Sequence, residues 1–157
     1  MIRYCTGNLL FARVPAIAHG CNIVGKMGAG IAKLIRKKYP TMFADYVERC
    51  RRGAFALGTA YLFREADETA VINIGTQGRG GAELWAIEAG FRALRKLCER
   101  EQIDHVAIPR IGSGLGGLDW AVIEPMLVEA FDGSDIVVDV FTLPDAQAGA
   151  SKRKRVQ

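Results

Sequence analysis

The chain has 157 residues, 50% of them hydrophobic and 24% charged, a balance that suits one compact domain and excludes a disordered polyelectrolyte. The formal net charge of +4 is concentrated at the end: from Pro144 onward Lys152, Arg153, Lys154 and Arg155 are offset only by Asp145, leaving +1 for the body, so the basicity does not mark the body as a nucleic-acid binder. No apolar run approaches the ~20 residues that span a bilayer, and Met1-Ile2-Arg3-Tyr4 lacks the basic opening and apolar core of a secretory signal, so a cytoplasmic protein without membrane contact is expected.

In chain order, residues 2–5 and 16–21 read as short strands. The glycine-rich turn Gly25-Lys26-Met27-Gly28-Ala29-Gly30 follows, then a helix over 31–38 that stops before Pro40 and closes on Arg36, Lys37 and Lys38. A second helix is predicted over 41–52, with Phe43, Tyr46, Val47 and Cys50 at helical spacing. The apolar runs at 58–63 and 70–75 are expected as strands central in a sheet. The longest helix is predicted over 81–101, striped by Leu84, Ile87, Phe91, Leu94 and Cys98. A strand at 105–109 leads into a second glycine loop. A helix at 119–131 with Asp119 as its N-cap and a strand at 136–142 complete the order β-β-α-α-β-β-α-β-α-β. That order implies a mixed sheet covered on both faces, over residues 1–143, followed by a disordered basic tail over 144–157. The tail is a candidate contact for nucleic acid and equally a solvated terminus.

The second loop, Arg110-Ile111-Gly112-Ser113-Gly114-Leu115-Gly116-Gly117, contains G-x-G-x-x-G, in which glycine lets the backbone approach a pyrophosphate and a helix start favours negative charge. A Rossmann site needs several further strands after this motif, and only one remains. The first loop, Gly20 to Lys26, matches G-x-x-x-x-G-K, but Met27 stands where a P-loop needs Ser or Thr. Two glycine loops, each between a strand and a helix, suggest a single diphosphate held from both sides; the alternative is a pair of tight turns. Cys5, Cys21, Cys50 and Cys98 form no C-x-x-C pair and have only His19 and His105 as companions, so reduced thiols are expected and no metal or cofactor.

These residues resemble the macrodomain family. Gly7-Asn8-Leu9-Leu10 is similar to its opening Gly-Asp-Ile/Leu motif. His19-Gly20-Cys21-Asn22 with Met27-Gly28-Ala29-Gly30-Ile31-Ala32 resembles its ribose and phosphate loop, Pro109 through Trp120 its second phosphate loop, and Val140-Phe141-Thr142-Leu143 its last strand. The likeness covers about residues 2–143 and is greatest to the branch holding terminal ADP-ribose glycohydrolases, DNA ADP-ribosyl glycohydrolase antitoxins and yeast-type ADP-ribose 1″-phosphate phosphatases. The resemblance implies a three-layer α/β/α sandwich with a mixed, mostly parallel sheet, binding ADP-ribose or an ADP-ribosylated macromolecule; a monomer is expected.

Position by position it implies Asn8 and the Leu9 N–H at adenine, with Phe141 packed on the base. It implies Asn22 at the distal ribose, Gly28, Ala29, Gly30 and Ile31 around that ribose and phosphate, and Ser113 to Gly117 cradling the diphosphate by N–H groups. Lys26, Met27, Thr76, Gln77, Ile111 and Gly112 belong to the same implied ligand set. Three departures accompany the likeness: Asn8 replaces Asp, Gln77 replaces the nucleophilic Lys that follows Thr76, and Gly116 replaces Asp. Gln cannot form a Schiff base, so a covalent lysyl route is not expected. Water placed by Asn22, or phosphomonoester hydrolysis, remains, with His19 as either general acid–base or a buried structural histidine. Lys26 reaches a terminal phosphate or is simply solvated, Arg110 pairs with ligand or with a carboxylate such as Glu88, and His105 reads as structural. The expected function is hydrolysis of ADP-ribose 1″-phosphate or macromolecule-linked ADP-ribose; the alternative is a non-catalytic ADP-ribose reader.

Overall fold

The computed structural model describes residues 1–144. The expected tail, beyond Pro144, lies outside the described residues. Strands β1 (Ile2–Thr6), β2 (Ala16–Asn22), β3 (Ala60–Arg64), β4 (Ala70–Gln77), β5 (His105–Pro109) and β6 (Val137–Thr142) form one sheet in the order β1-β6-β5-β2-β4-β3. Every pair is parallel except β3–β4. Helices α1 (Gly30–Lys38) and α2 (Pro40–Arg51) lie on one face, α3 (Leu84–Arg100) and α4 (Trp120–Ala130) on the other. A 3-10 turn, Leu9–Phe11, joins β1 to the run before β2.

The layering follows from period-two alternation along strands buried on both sides. Ala16 and Ala18 of β2 face the core under α3 and α4, with Ile74, Phe91, Ile108 and Val140. Ile17 and Cys21 face the core under α1 and α2, with Ile35, Met42, Tyr46 and Phe55. The result is a three-layer α/β/α sandwich. The first seven residues of β4 are buried, as expected for a central strand. The expectation that the preceding run is also central is corrected: β3 is the antiparallel edge, half-buried along most of its length. Its Leu62 packs on one core while Tyr61 and Phe63 pack on the other. An edge strand held between two helix layers needs apolar residues on both faces, so its composition mimics a central one. No helix among the described residues is long and apolar enough to cross a membrane.

The sheet order makes a crevice. Strands β2 and β5 are neighbours, but the chain leaves β2 toward α1 on one face and leaves β5 toward α4 on the other. Loops that part at the carboxyl ends of adjacent parallel strands leave a gap between them, and ligands of open α/β sheets bind there.

Candidate functional site

A cleft of about 610 Å³ occupies that gap. It runs from Phe141 and Leu143 at the end of β6 to Thr76 and Gln77 at the end of β4. Those ends are three strand positions apart, roughly 14 Å at the usual strand spacing. Gly7 and Leu9 flank the β6 end, Ala29 to Ala32 form one long wall, and Pro109 to Gly116 form the other.

The first wall is the start of α1. Its N-cap position is Ala29, whose side chain accepts no hydrogen bond. The first helical bond runs from Lys33 N–H to Ala29 C=O (3.3 Å), so the N–H groups of Gly30, Ile31 and Ala32 have no acceptor among the described residues. An uncapped helix start facing a cleft supplies unpaired donors and the positive end of the helix dipole.

The second wall achieves the same polarity differently. In the loop after β5, Ile111, Ser113 and Gly117 donate to Pro109, Arg110 and Gly114 carbonyls, and Leu118 N–H donates to Gly112 C=O. The successive N–H groups of Gly114, Leu115 and Gly116 donate to no protein acceptor among the described residues. A run of such groups is an anion nest. Within the expected cradle of Ser113 to Gly117, the Ser113 and Gly117 N–H groups hold the loop together, and the three residues between them line the cleft with their N–H groups unpaired among the described residues. The helix that follows does not contribute, because the Asp119 carboxylate caps α4 by accepting from Ala121 N–H at 2.9 Å. Gly112 permits the geometry: its φ of +84° favours glycine, and a β-carbon there would lie 2.6 Å from Ile87 Cδ1. Gly116 has no room either, since a β-carbon would lie 2.7 Å from Gly112 C=O. Leu115, 75% exposed, reaches toward the opposite wall, its Cδ1 3.5 Å from where a β-carbon on Gly30 would sit.

Phe141 and Leu9 line the cleft. Asn8 stands behind them, its Oδ1 accepting from Leu10 N–H at 3.0 Å as the cap of the 3-10 turn, with one lone pair left over. The Met27 side chain is 1% exposed in the core under α1 and α2, so that residue does not line the cleft. Gly28 is exposed beside it. Arg110 lines the cleft, whereas Glu88 is engaged with Arg92 at 2.7 Å, which removes the Glu88 alternative. His105 lies at the far end of β5 and binds Asp139 at 2.6 Å, beside Arg3, which also holds Asp139 at 2.7 Å. The Arg3 guanidinium and His105 hold the Asp139 carboxyl below its ordinary range.

His19 is a correction. It is fully buried, its Nε2 lies 2.7 Å from Asn73 Oδ1, and it does not line the cleft. Burial pushes its pKa down to about 4, with the Asn73 contact opposing. Asn73 Nδ2 donates onward to Tyr61 Oη at 2.8 Å. This is a satisfied interior network under α2, with no route for the ring to a bound ligand. Of the two expected roles, the geometry fits the buried structural histidine and not a general acid–base at the cleft.

Asn22 is similarly engaged. Its Nδ2 donates to Lys26 C=O at 2.6 Å, and its Oδ1 accepts from Val24 N–H, Lys26 N–H and Tyr46 Oη. Tyr46, fully buried on α2, is a buttress of the first loop, a role that its place in a helical stripe did not announce. Burial pushes its hydroxyl well above the usual phenol range, so it stays a donor. A second omission is the glycine-rich segment Gly78-Arg79-Gly80-Gly81. The antiparallel bridge Gln77↔Ala82 closes it into a hairpin, and Ile23 N–H donates to Gln77 C=O at 3.0 Å, tying it to the first loop. Asn22, Val24, Lys26 and the hairpin enclose a second cavity of about 440 Å³, and Gln77 lines both cavities.

Comparison with known proteins agrees with this architecture. A family model described as "Macro domain" matches residues 18–127. The DNA ADP-ribosyl glycohydrolase of Mycobacterium tuberculosis is 37% identical over 136 residues, covering 83% of this chain and 39% of that protein. The chain thus spans about two fifths of that relative's length. The ADP-ribose 1″-phosphate phosphatase of Candida albicans is 26% identical over 146 residues, covering 82% of this chain and 93% of that protein. The solved macrodomain of M. tuberculosis DarG superposes with a TM-score of 0.86 at 35% identity, covering 90% of this chain and 97% of that one.

Proposed function

We infer the function from one premise, that the chain belongs to the Macro domain family, and read the cleft as an ADP-ribose site. The observation that carries this is the pair of donor rows, Gly30 to Ala32 and Gly114 to Gly116, which face one cleft from opposite sides and have no acceptor among the described residues. A diphosphate between them satisfies both rows. Adenine then rests at Phe141 and Leu9, with the free lone pair of Asn8 available to its amino group. The distal ribose lies toward Thr76 and Gln77.

The reaction is hydrolysis of the bond joining the distal ribose to the group it carries: water is added, and ADP-ribose and the freed group leave. The names of both relatives support this class. Gln77 provides no nucleophile, so water is the attacking species, and the contribution of this chain is to position the substrate against it. A second reading, a reader that binds ADP-ribose without turnover, is favoured by Gln77 and by the absence of room for any side chain at Gly116. Two measurements in sequence separate these readings. Calorimetric titration with ADP-ribose, against AMP and NAD, comes first; micromolar binding selective for ADP-ribose is expected. Incubation with ADP-ribose 1″-phosphate and with an ADP-ribosylated oligonucleotide and protein follows. Release of ADP-ribose supports the hydrolase, binding without release selects the reader, and no binding removes the site assignment. Four free cysteines further support a reducing, cytoplasmic setting. We place the protein there as a monomer, which light scattering during gel filtration checks.

A further inference from the structure

The second cavity has a composition of its own. Of the seven residues that line it, two are cations, Lys26 and Arg79, and none is a carboxylate. Both cations are exposed, and neither side chain has a hydrogen-bond or ion-pair partner among the described residues. The groove between α3 and α4, of similar size at about 430 Å³, is the contrast: there Arg92 binds Glu88 and Arg95 binds Glu99, each pair within 2.8 Å. Several surface arginines of this protein are neutralised by a neighbouring carboxylate, whereas Lys26 and Arg79 line the second cavity without such a partner among the described residues.

The segments that carry them are tied to one another. Lys26 N–H and C=O are both bonded to the Asn22 side chain, which Tyr46 buttresses from below. Arg79 stands on the hairpin closed at Gln77 and Ala82 and tied through Ile23 to the same loop. Lys26 on a fixed backbone loses little backbone freedom on meeting an anion, Arg79 is tethered beside it by the closed ends of its hairpin, and an arginine with a lysine suits a phosphate oxygen set. The cavity adjoins the ADP-ribose cleft through Gln77, at the end assigned to the distal ribose, so it lies on the side from which the ribose substituent departs.

We propose that this second cavity is an anion subsite in which Lys26 and Arg79 hold a phosphate carried by the group attached to the distal ribose, making these two residues the determinants of leaving-group specificity. The proposal rests on the ADP-ribose reading of the main cleft. The phosphate has two sources, a phosphomonoester on the ribose itself or a phosphodiester of a nucleic-acid strand bearing the ADP-ribosyl group, and Lys26 and Arg79 serve either. A protein-linked ADP-ribosyl group, without a phosphate at that place, gains nothing from them.

The test measures affinities by rapid-mixing titration, before turnover, for ADP-ribose, ADP-ribose 1″-phosphate and a singly ADP-ribosylated oligonucleotide. The quantity read is each ligand's preference over ADP-ribose, in the full chain and in Arg79→Gln, Lys26→Gln and Arg92→Gln. Arg92→Gln removes one positive charge at the distant groove and controls for net charge. The preference for at least one phosphate-bearing ligand is expected to fall roughly tenfold in each cavity variant and to hold in Arg92→Gln. A fall confined to the small ligand assigns the monoester. A fall confined to the oligonucleotide, with the salt slope of its binding reduced by about one, assigns the strand. An unchanged preference in both cavity variants overturns the subsite, as does an equal fall in Arg92→Gln. Failure of the unsubstituted chain to bind ADP-ribose is a different result: it overturns the reading of the main cleft, and the subsite with it.

Discussion

The first glycine loop ends in a helix with alanine at its N-cap position, and the second ends in a helix capped by Asp119. In the first case the donors that face the cleft belong to the helix start. In the second the carboxylate occupies the helix start, and the donors come from the loop itself. The difference teaches that an anion site needs unpaired N–H groups rather than a helix terminus as such. It also separates two consequences of a cap, stability and vacancy, that coincide in most helices.

The harshest way to break the comparison is Gly114→Glu. A β-carbon at Gly114 meets nothing within 4 Å, so the variant is expected to fold while bringing a carboxylate to the nest. Affinity for ADP-ribose should fall at least about 100-fold, since like charges at an interface cost several kcal/mol. A folded variant with unchanged affinity by calorimetry would sink the assignment of the second wall.

Next in size is a pH effect under the first loop. The strand that leads into it carries buried His19, held neutral with a pKa near 4. In the unfolded chain the same group takes a proton near pH 6.5, so acid favours unfolding; the stability is intact above 6.5 and is lost as pH falls from there toward 4. Chemical denaturation should show a loss on the order of 2 kcal/mol between pH 7 and pH 5. His19→Gln should flatten that part of the profile, whatever it does to the level at pH 7; a slope of the same size in the variant would exclude His19 as its cause.

Supplying the missing cap sharpens the contrast. Ala29→Asp should stabilise α1 by about 1 kcal/mol and weaken ADP-ribose binding roughly tenfold, because the new carboxylate takes the donors and repels the diphosphate. Opposite signs in a thermal melt and a titration are the signature; tighter binding would argue that the α1 start does not meet the anion. The converse variant is the mildest. Asp119→Ala should cost about 1 kcal/mol, a Tm drop of about 2–4 °C, and change ADP-ribose affinity by less than about twofold. A large affinity loss there would show that α4 does serve the ligand.

How much of this was legible depended on whether the cause was local. Glycine spacing located both loops, and Asp119 announced its own cap. Short apolar runs and apolar helical stripes placed the strands and helices to within a few residues. The edge position of β3 was hidden because both of its faces pack. The Arg79 hairpin was hidden because Gly81 and Ala82 were read as the start of the helix that begins at Leu84, and the bridge Gln77↔Ala82 that decides otherwise is a pairing no periodicity reports. His19 shows the same limit within the site. Its place beside Asn73 comes from the register of β2 on β4, strands separated by two helices and another strand.

The bare start of α1 also bears on motion. Amides in the first turn of a helix with no internal acceptor and no cap open and close at little free-energy cost, so in the ligand-free protein the amide hydrogens of Gly30, Ile31 and Ala32 should trade with solvent deuterium among the fastest of any helix. A diphosphate seated on them is the acceptor they lack. Their exchange should then slow in proportion to site occupancy, turning this one turn of backbone into a built-in gauge of whether the cleft is filled.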